Sequence, residues 1–156
     1  MKELLKKLDA CLPAIEWAGD KTWEEIYKTC HRGDWLLWLF KQTNPYDLQK
    51  ITLAKGHCAA TVLHLMKDER SINAVKVAIA FGEGNASREY LNNAAYAYAA
   101  AADAADTAAY YAAYAAADAD AAYAAAADAK KQNQMETADI CRKYLPIEIW
   151  NIGGNK

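Results

Sequence analysis

Between Cys30 and Trp38 the chain sets a thiol, an imidazole, a guanidinium, a carboxylate and two indoles side by side: Cys30-His31-Arg32-Gly33-Asp34-Trp35, then Trp38. Arg32 can offer a planar fork to a phosphate or carboxylate. A helix starting near Trp35 would add free N–H groups that favour an anion. Trp35 or Trp38 can stack on a base or a guanidinium. The same residues also have a purely structural use, in which Arg32 pairs with Asp34, Asp34 caps the next helix and both indoles enter the core. His31, Arg32, Asp34 and Trp35 are the candidate binding residues of this segment.

A second constellation lies in an alanine-rich tract. From Ala94 to Ala129 about two-thirds of the residues are Ala, punctuated by Tyr and Asp. On a continuous helix Tyr96, Asp103, Asp106, Tyr110, Tyr111, Tyr114, Asp118 and Asp128 fall within about 140° of one another. The opposite side is mostly Ala, which lets helix axes approach to about 8 Å. Residues 90–129 hold five of the 20 acidic residues and none of the 18 basic ones. Tyr96, Asp103, Asp106, Tyr110 and Tyr114 therefore form a candidate recognition face for a basic partner. The alternative is that the rings fill gaps beside small alanines while their hydroxyls reach water.

Other chemistries lack their residue patterns. The sequence has no nucleophile elbow, phosphate loop or dinucleotide fingerprint. His57 and His64 share a helical face, but with Cys30 and Cys58 they match no usual zinc spacing. The expectation is a binding protein without catalysis, metal or cofactor. Cys11, Cys30, Cys58 and Cys141 make no C-x-x-C pair, and each falls on or beside an apolar stripe. They read as buried free thiols, with a disulfide framework as the alternative.

The elements that must position these groups are helical. Leu4, Leu8, Cys11 and Ile15 mark one face of a first helix, which Pro13 must kink or restart. Thr22 and Glu25 spell a capping box for a helix with Trp23, Ile26, Tyr27 and Cys30 on one face. Gly33 ends it and Asp34 sits where an N-cap belongs. Trp35–Phe40 is apolar on every side, which places it centrally and Trp38 in the core. Asn44 and Pro45 resemble a helix start, with Leu48, Ile51, Ala54, Cys58, Val62 and Leu65 buried along a helix to about Met66. Ser71 caps another helix, closed by Gly82 and Gly84.

No Gly or Pro interrupts residues 86–145. One helix of that length would reach roughly 90 Å, against about 40 Å across a compact domain of this size. Breaks are expected at Asp106-Thr107 or Asp118-Ala119-Asp120. Ile147–Trp150 reads as a short extended tail. The fold expected is all-α: a compact multi-helix bundle or irregular helical array in one domain over 1–156, with bulky-core helices in 1–86, Ala-rich helices in 87–145 and a tail in 146–156.

Composition bounds the partners. The net charge of −2 announces no nucleic-acid polymer. Met1–Leu12 has no apolar run of signal-peptide type, and repeated Asp would make the Ala-rich tract costly to bury in a bilayer. A cytoplasmic chain without a membrane partner is expected, with self-association left open.

The stretch Cys30-His31-Arg32-Gly33-Asp34-Trp35-Leu36-Leu37-Trp38-Leu39 resembles the C-x-R-G-D-W-x-x-W-L core of a family of immunity proteins found in bacterial toxin–immunity loci and in phage genomes. Cys11, Trp17 and Trp23, and the Ala-rich tract after the core, look like that family as well. The resemblance implies a helical, cytosolic inhibitor that neutralises a cognate protein toxin by binding. Its occurrence in phages also implies an alternative: a sponge that sequesters a small anionic nucleotide signal of bacterial anti-phage defence. In that case indole and tyrosine faces would take the base, and Arg32, His31, Lys55 or a helix N-terminus the phosphate.

Overall fold

The computed structural model describes residues 1–96 and 120–152, with side chains from residue 128 onward in the second stretch. The fold is all-α, and the described residues contain no strand. The helices are α1 (Lys2–Lys7), α2 (Leu12–Ala18), α3 (Trp23–Thr29), α4 (Gly33–Thr43), α5 (Leu48–Ala60), α6 (Glu69–Gly82), α7 (residues 88–96) and α8 (Asp120–Tyr144). Short 3₁₀ turns cover Leu63–Leu65 and Ile147–Ile149.

Helix α4 is central. Leu36, Leu39 and Phe40 are fully or nearly fully buried, facing Ile26, Tyr27 and Cys30 of α3 and Ala138 and Cys141 of α8, with Leu145 just beyond α8. Trp150 closes the core from below. Its ring centroid lies 5.0 Å from that of Phe40 and 4.7 Å from that of Trp23. Its indole N–H donates to the Leu145 carbonyl at 2.8 Å, so the buried polar edge is satisfied. Burying large rings beside small Ala138 and Cys141 lets α8 lie directly on α4.

Helices α5 and α6 form the adjoining layer. Gly56 permits their close approach: a methyl group there would meet Ile79 Cγ1 at 2.8 Å. Val75, Val77 and Phe81 are the buried residues of α6.

Several local expectations hold. Thr22 and Glu25 form the capping box, with both reciprocal bonds present. Pro13 restarts the chain at the second position of α2. Others are corrected. The first helix divides because Asp9 adopts a left-handed φ of 57°, closing α1 with bonds from Asp9 N–H to the Lys6 carbonyl and from Ala10 N–H to the Leu5 carbonyl. Helix α4 starts at Gly33 with Arg32 as N-cap, so Asp34 lies in its first turn. Asn44 ends α4 instead of starting α5, because its amide is engaged by the C-terminal segment: Nδ2 donates to the Ile149 carbonyl at 2.7 Å, and Oδ1 accepts from Asn151 N–H. The cap of α5 is Asp47, and that of α6 is Asp68, not Ser71.

Helix α5 stops at Ala60, so Leu65 turns outward at 67% exposure, and Leu48 is also exposed. The same stop separates His57 from His64, which falls in the 3₁₀ turn. Ile147–Ile149 is a 3₁₀ turn where an extended tail is expected, because Pro146 leads into a single tight turn that seats Trp150. Cys11 is exposed at the start of α2, where the chain between α1 and α2 leaves the core. Trp38 is half-buried. The expected breaks at Asp106-Thr107 and within Asp118-Ala119-Asp120 involve residues outside those described.

Candidate functional site

The turn between α3 and α4 is built by its ends. Cys30 caps α3, its buried thiol donating to the Arg32 carbonyl at 3.5 Å. Burial pushes that thiol's pKa up and keeps it protonated. Arg142, reaching from α8, donates to the Tyr27 and Cys30 carbonyls at 3.1 and 2.8 Å, satisfying orphan acceptors at the end of α3. Gly33 then rests on Thr137 of α8, with no room for a side chain.

This turn aims Arg32 and Asp34 outward. The guanidinium grips the carboxylate with two bonds, 2.8 Å from Nε and 2.6 Å from the terminal nitrogen. The hydrogen bonds from Arg32 hold the Asp34 carboxyl below its usual range. The guanidinium also lies over the Trp35 ring, 4.6 Å from its centroid. Trp17 of α2 completes the aromatic group, 6.0 Å from Trp35 and 5.9 Å from His31 by ring centroids. Lys21 sits 4.7 Å over the other indole, that of Trp17.

A cleft of about 410 Å³ opens beside this group, between α1–α2 and the α3–α4 turn. Arg32, Asp34, Trp35 and Trp38 line it from one side, and Asp9, Cys11, Ala14 and Trp17 from the other. The floor is apolar, formed by Leu5, Ala18, Ile26, Leu36 and Leu39. The volume falls within the range of small-ligand sites, which run from roughly 300 to 1,000 Å³.

The structure therefore brings together His31, Arg32, Asp34 and Trp35, with His31 at the exposed edge beside Trp17. It adds residues that sequence reasoning about the site passed over, chiefly Asp9, Ala14 and Trp17. Pro13 was a visible signal for the second wall, since a restarted helix can fold back. The left-handed turn that aims Asp9 at the cleft had no comparable signal. Tyr96 is 78% exposed, near the end of the described part of α7. Asp103, Asp106, Tyr110 and Tyr114 lie outside the described residues.

Among the described residues, no group of three or more His, Cys, Asp or Glu side chains is placed to hold a metal ion. No helix among them is long and apolar enough to cross a membrane. Comparison with protein-family models, curated proteins and solved structures finds no match to this chain.

Proposed function

We propose that this chain is a non-enzymatic inhibitor of the immunity type, which binds a protein toxin or effector through the cleft beside Arg32, Asp34 and Trp35. The observation that carries the reading is the cleft itself: an apolar floor, three indoles at the walls and a charged pair at the mouth. An interface anchor of this kind takes an apolar or aromatic side chain, with charged groups at the rim fixing its orientation. Cys30 is held as a neutral thiol and Arg32 is already committed to Asp34, which suits recognition better than nucleophilic or acid–base chemistry.

Charge favours a partner that is neutral or basic at the point of contact. Asp9 and Asp34 face a single lining cation, Arg32, whose fork is filled by Asp34. A phosphate entering there would have to displace a carboxylate. The Tyr and Asp residues of the Ala-rich tract, expected from the sequence to share a face, belong to the same proposal: their negative charge would steer a basic toxin.

The second reading is the nucleotide sponge. The cleft volume and the indole faces favour it, since a base can stack on any of the three rings, while the two carboxylates oppose it. The test is gel filtration of the chain with a candidate basic toxin, set beside mass spectrometry of small molecules carried through purification. A one-to-one complex that weakens with salt supports the first reading. A co-purifying nucleotide without complex formation replaces it with the second.

A further inference from the structure

Cys58 of α5 and Cys141 of α8 face each other with their sulfurs 3.9 Å apart. They are 83 positions apart in sequence, so the fold alone brings them together. We propose that they are a reversible oxidation site, closing to a disulfide under a peroxide and thereby shifting the α3–α4 turn that carries the binding residues.

Three features support the pairing. Cys58 is partly exposed while Cys141 is fully buried, so an oxidant meets Cys58 first. The contact between the sulfurs lowers the Cys58 pKa and raises that of Cys141, so Cys58 is the more readily ionised of the two. Both groups belong to packed helices, and a contact of 3.9 Å needs only a closure of about 2 Å to reach bonding distance.

The chemistry balances with hydrogen peroxide as the oxidant. The Cys58 thiolate attacks one peroxide oxygen, giving a sulfenic acid and hydroxide, which takes up the proton released when Cys58 ionised. Cys141 then gives up its proton and attacks the Cys58 sulfur, expelling hydroxide, which takes that proton to become water. Two thiols lose two electrons, and the peroxide is reduced to two waters.

The link to the binding residues is mechanical. The Cys141 thiol contacts the Gly33 carbonyl at 3.5 Å, and the Cys58 thiol contacts the Thr137 carbonyl at 3.6 Å. Disulfide formation removes both donors. Gly33 packs on Thr137 without space for even a methyl group, so a shift of α8 at residues 137–141 is passed to Gly33 and its neighbours Arg32 and Asp34.

The experiment needs no binding partner. Full-length protein with Cys11→Ser, which removes the exposed thiol, is treated with hydrogen peroxide and mapped by non-reducing tryptic mass spectrometry. The expected product joins peptides 56–67 and 132–142 with loss of two hydrogens, and dithiothreitol reverses it. Amide hydrogen exchange over residues 32–36 should change on oxidation and return on reduction. In Cys58→Ser, peroxide should leave that exchange unaltered. Free thiols, sulfinic acid on Cys58 without a link, or a bond through Cys30 would overturn the site. A Cys58–Cys141 bond with unchanged exchange at 32–36 would overturn the coupling. Because the link is read directly in a chain that keeps both thiols, the test stands even if Cys58→Ser fails to fold.

Discussion

Gly33 and Thr137 touch so closely that a β-carbon built on Gly33 would lie 2.5 Å from Thr137 Oγ1 and 2.6 Å from the Thr137 carbonyl carbon. The second distance matters more, because a backbone atom cannot rotate away. The glycine thus fixes how near the start of α4 comes to α8. Gly33→Ala should cost about 1–3 kcal/mol, the usual range for overpacking. Thr137→Ala should rescue only part of that loss. Urea unfolding of the two single variants and the double variant checks both statements, and an unchanged midpoint for Gly33→Ala would show that the helices are not in contact there.

Phe40 and Trp38 separate core from cleft within one helix. Phe40 is wholly buried, and Phe40→Ala should cost about 3–5 kcal/mol. Trp38 is half-buried and lines the cleft, so Trp38→Ala should cost less, on the order of 1–3 kcal/mol. Thermal unfolding with reversible baselines orders the two. A larger loss at Trp38 would place that indole in the core and remove it from the binding wall.

Arg142→Ala should destabilise the chain by about 1.5–3 kcal/mol, since the guanidinium makes charged hydrogen bonds to the Tyr27 and Cys30 carbonyls. Its contact with Asp139 is a surface pair and contributes little. Asp139→Asn should therefore leave the unfolding midpoint nearly unchanged. Equal losses in the two variants would assign the stabilisation to the ion pair.

The Arg32–Asp34 pair carries a pH signature. The folded-state pKa of Asp34 is depressed, chiefly by hydrogen bonds from Arg32. Such a group contributes stability that is present above the unfolded carboxyl pKa, about 3.9, and lost as pH falls through the lower folded value. The contribution is modest because both side chains are partly solvated. Arg32→Gln should move the Asp34 titration, followed by NMR, back up towards about 3.9. A titration that does not move would mean that the pair is open in solution.

How much of this was legible in the sequence depended on how local each cause was. The Thr22–Glu25 capping box spans four positions, and the structure forms it as the sequence predicts. The apolar run Trp35–Phe40 announced a central helix, although it could not say which indole would face the cleft. Asn44-Pro45 has the pattern of a helix start, but Asn44 ends α4, because its partners, Ile149 and Asn151, lie more than a hundred positions away. The cleft had the same difficulty: one wall was a dense motif, while the other arose from the left-handed turn at Asp9 and the return of α2 towards α4. The facing of Cys58 and Cys141 likewise depends on the packing of α5 on α8.

The central claim is that the cleft is the recognition site, and the most direct measurement fills it. Ala14 lines the cleft at a half-exposed position, so Ala14→Trp can occupy the space with little demand on the core. Wild type and Ala14→Trp are purified in parallel from the producing cells, matched for helicity and unfolding midpoint, and compared by native mass spectrometry for any protein or small molecule retained in stoichiometric amount. The expected result is a species held by wild type and weakened at least about tenfold, or roughly 1.4 kcal/mol, by the filled cleft and by Trp35→Ala. Retention of the same species equally by wild type and by both folded variants would contradict the claim and place recognition elsewhere on the chain.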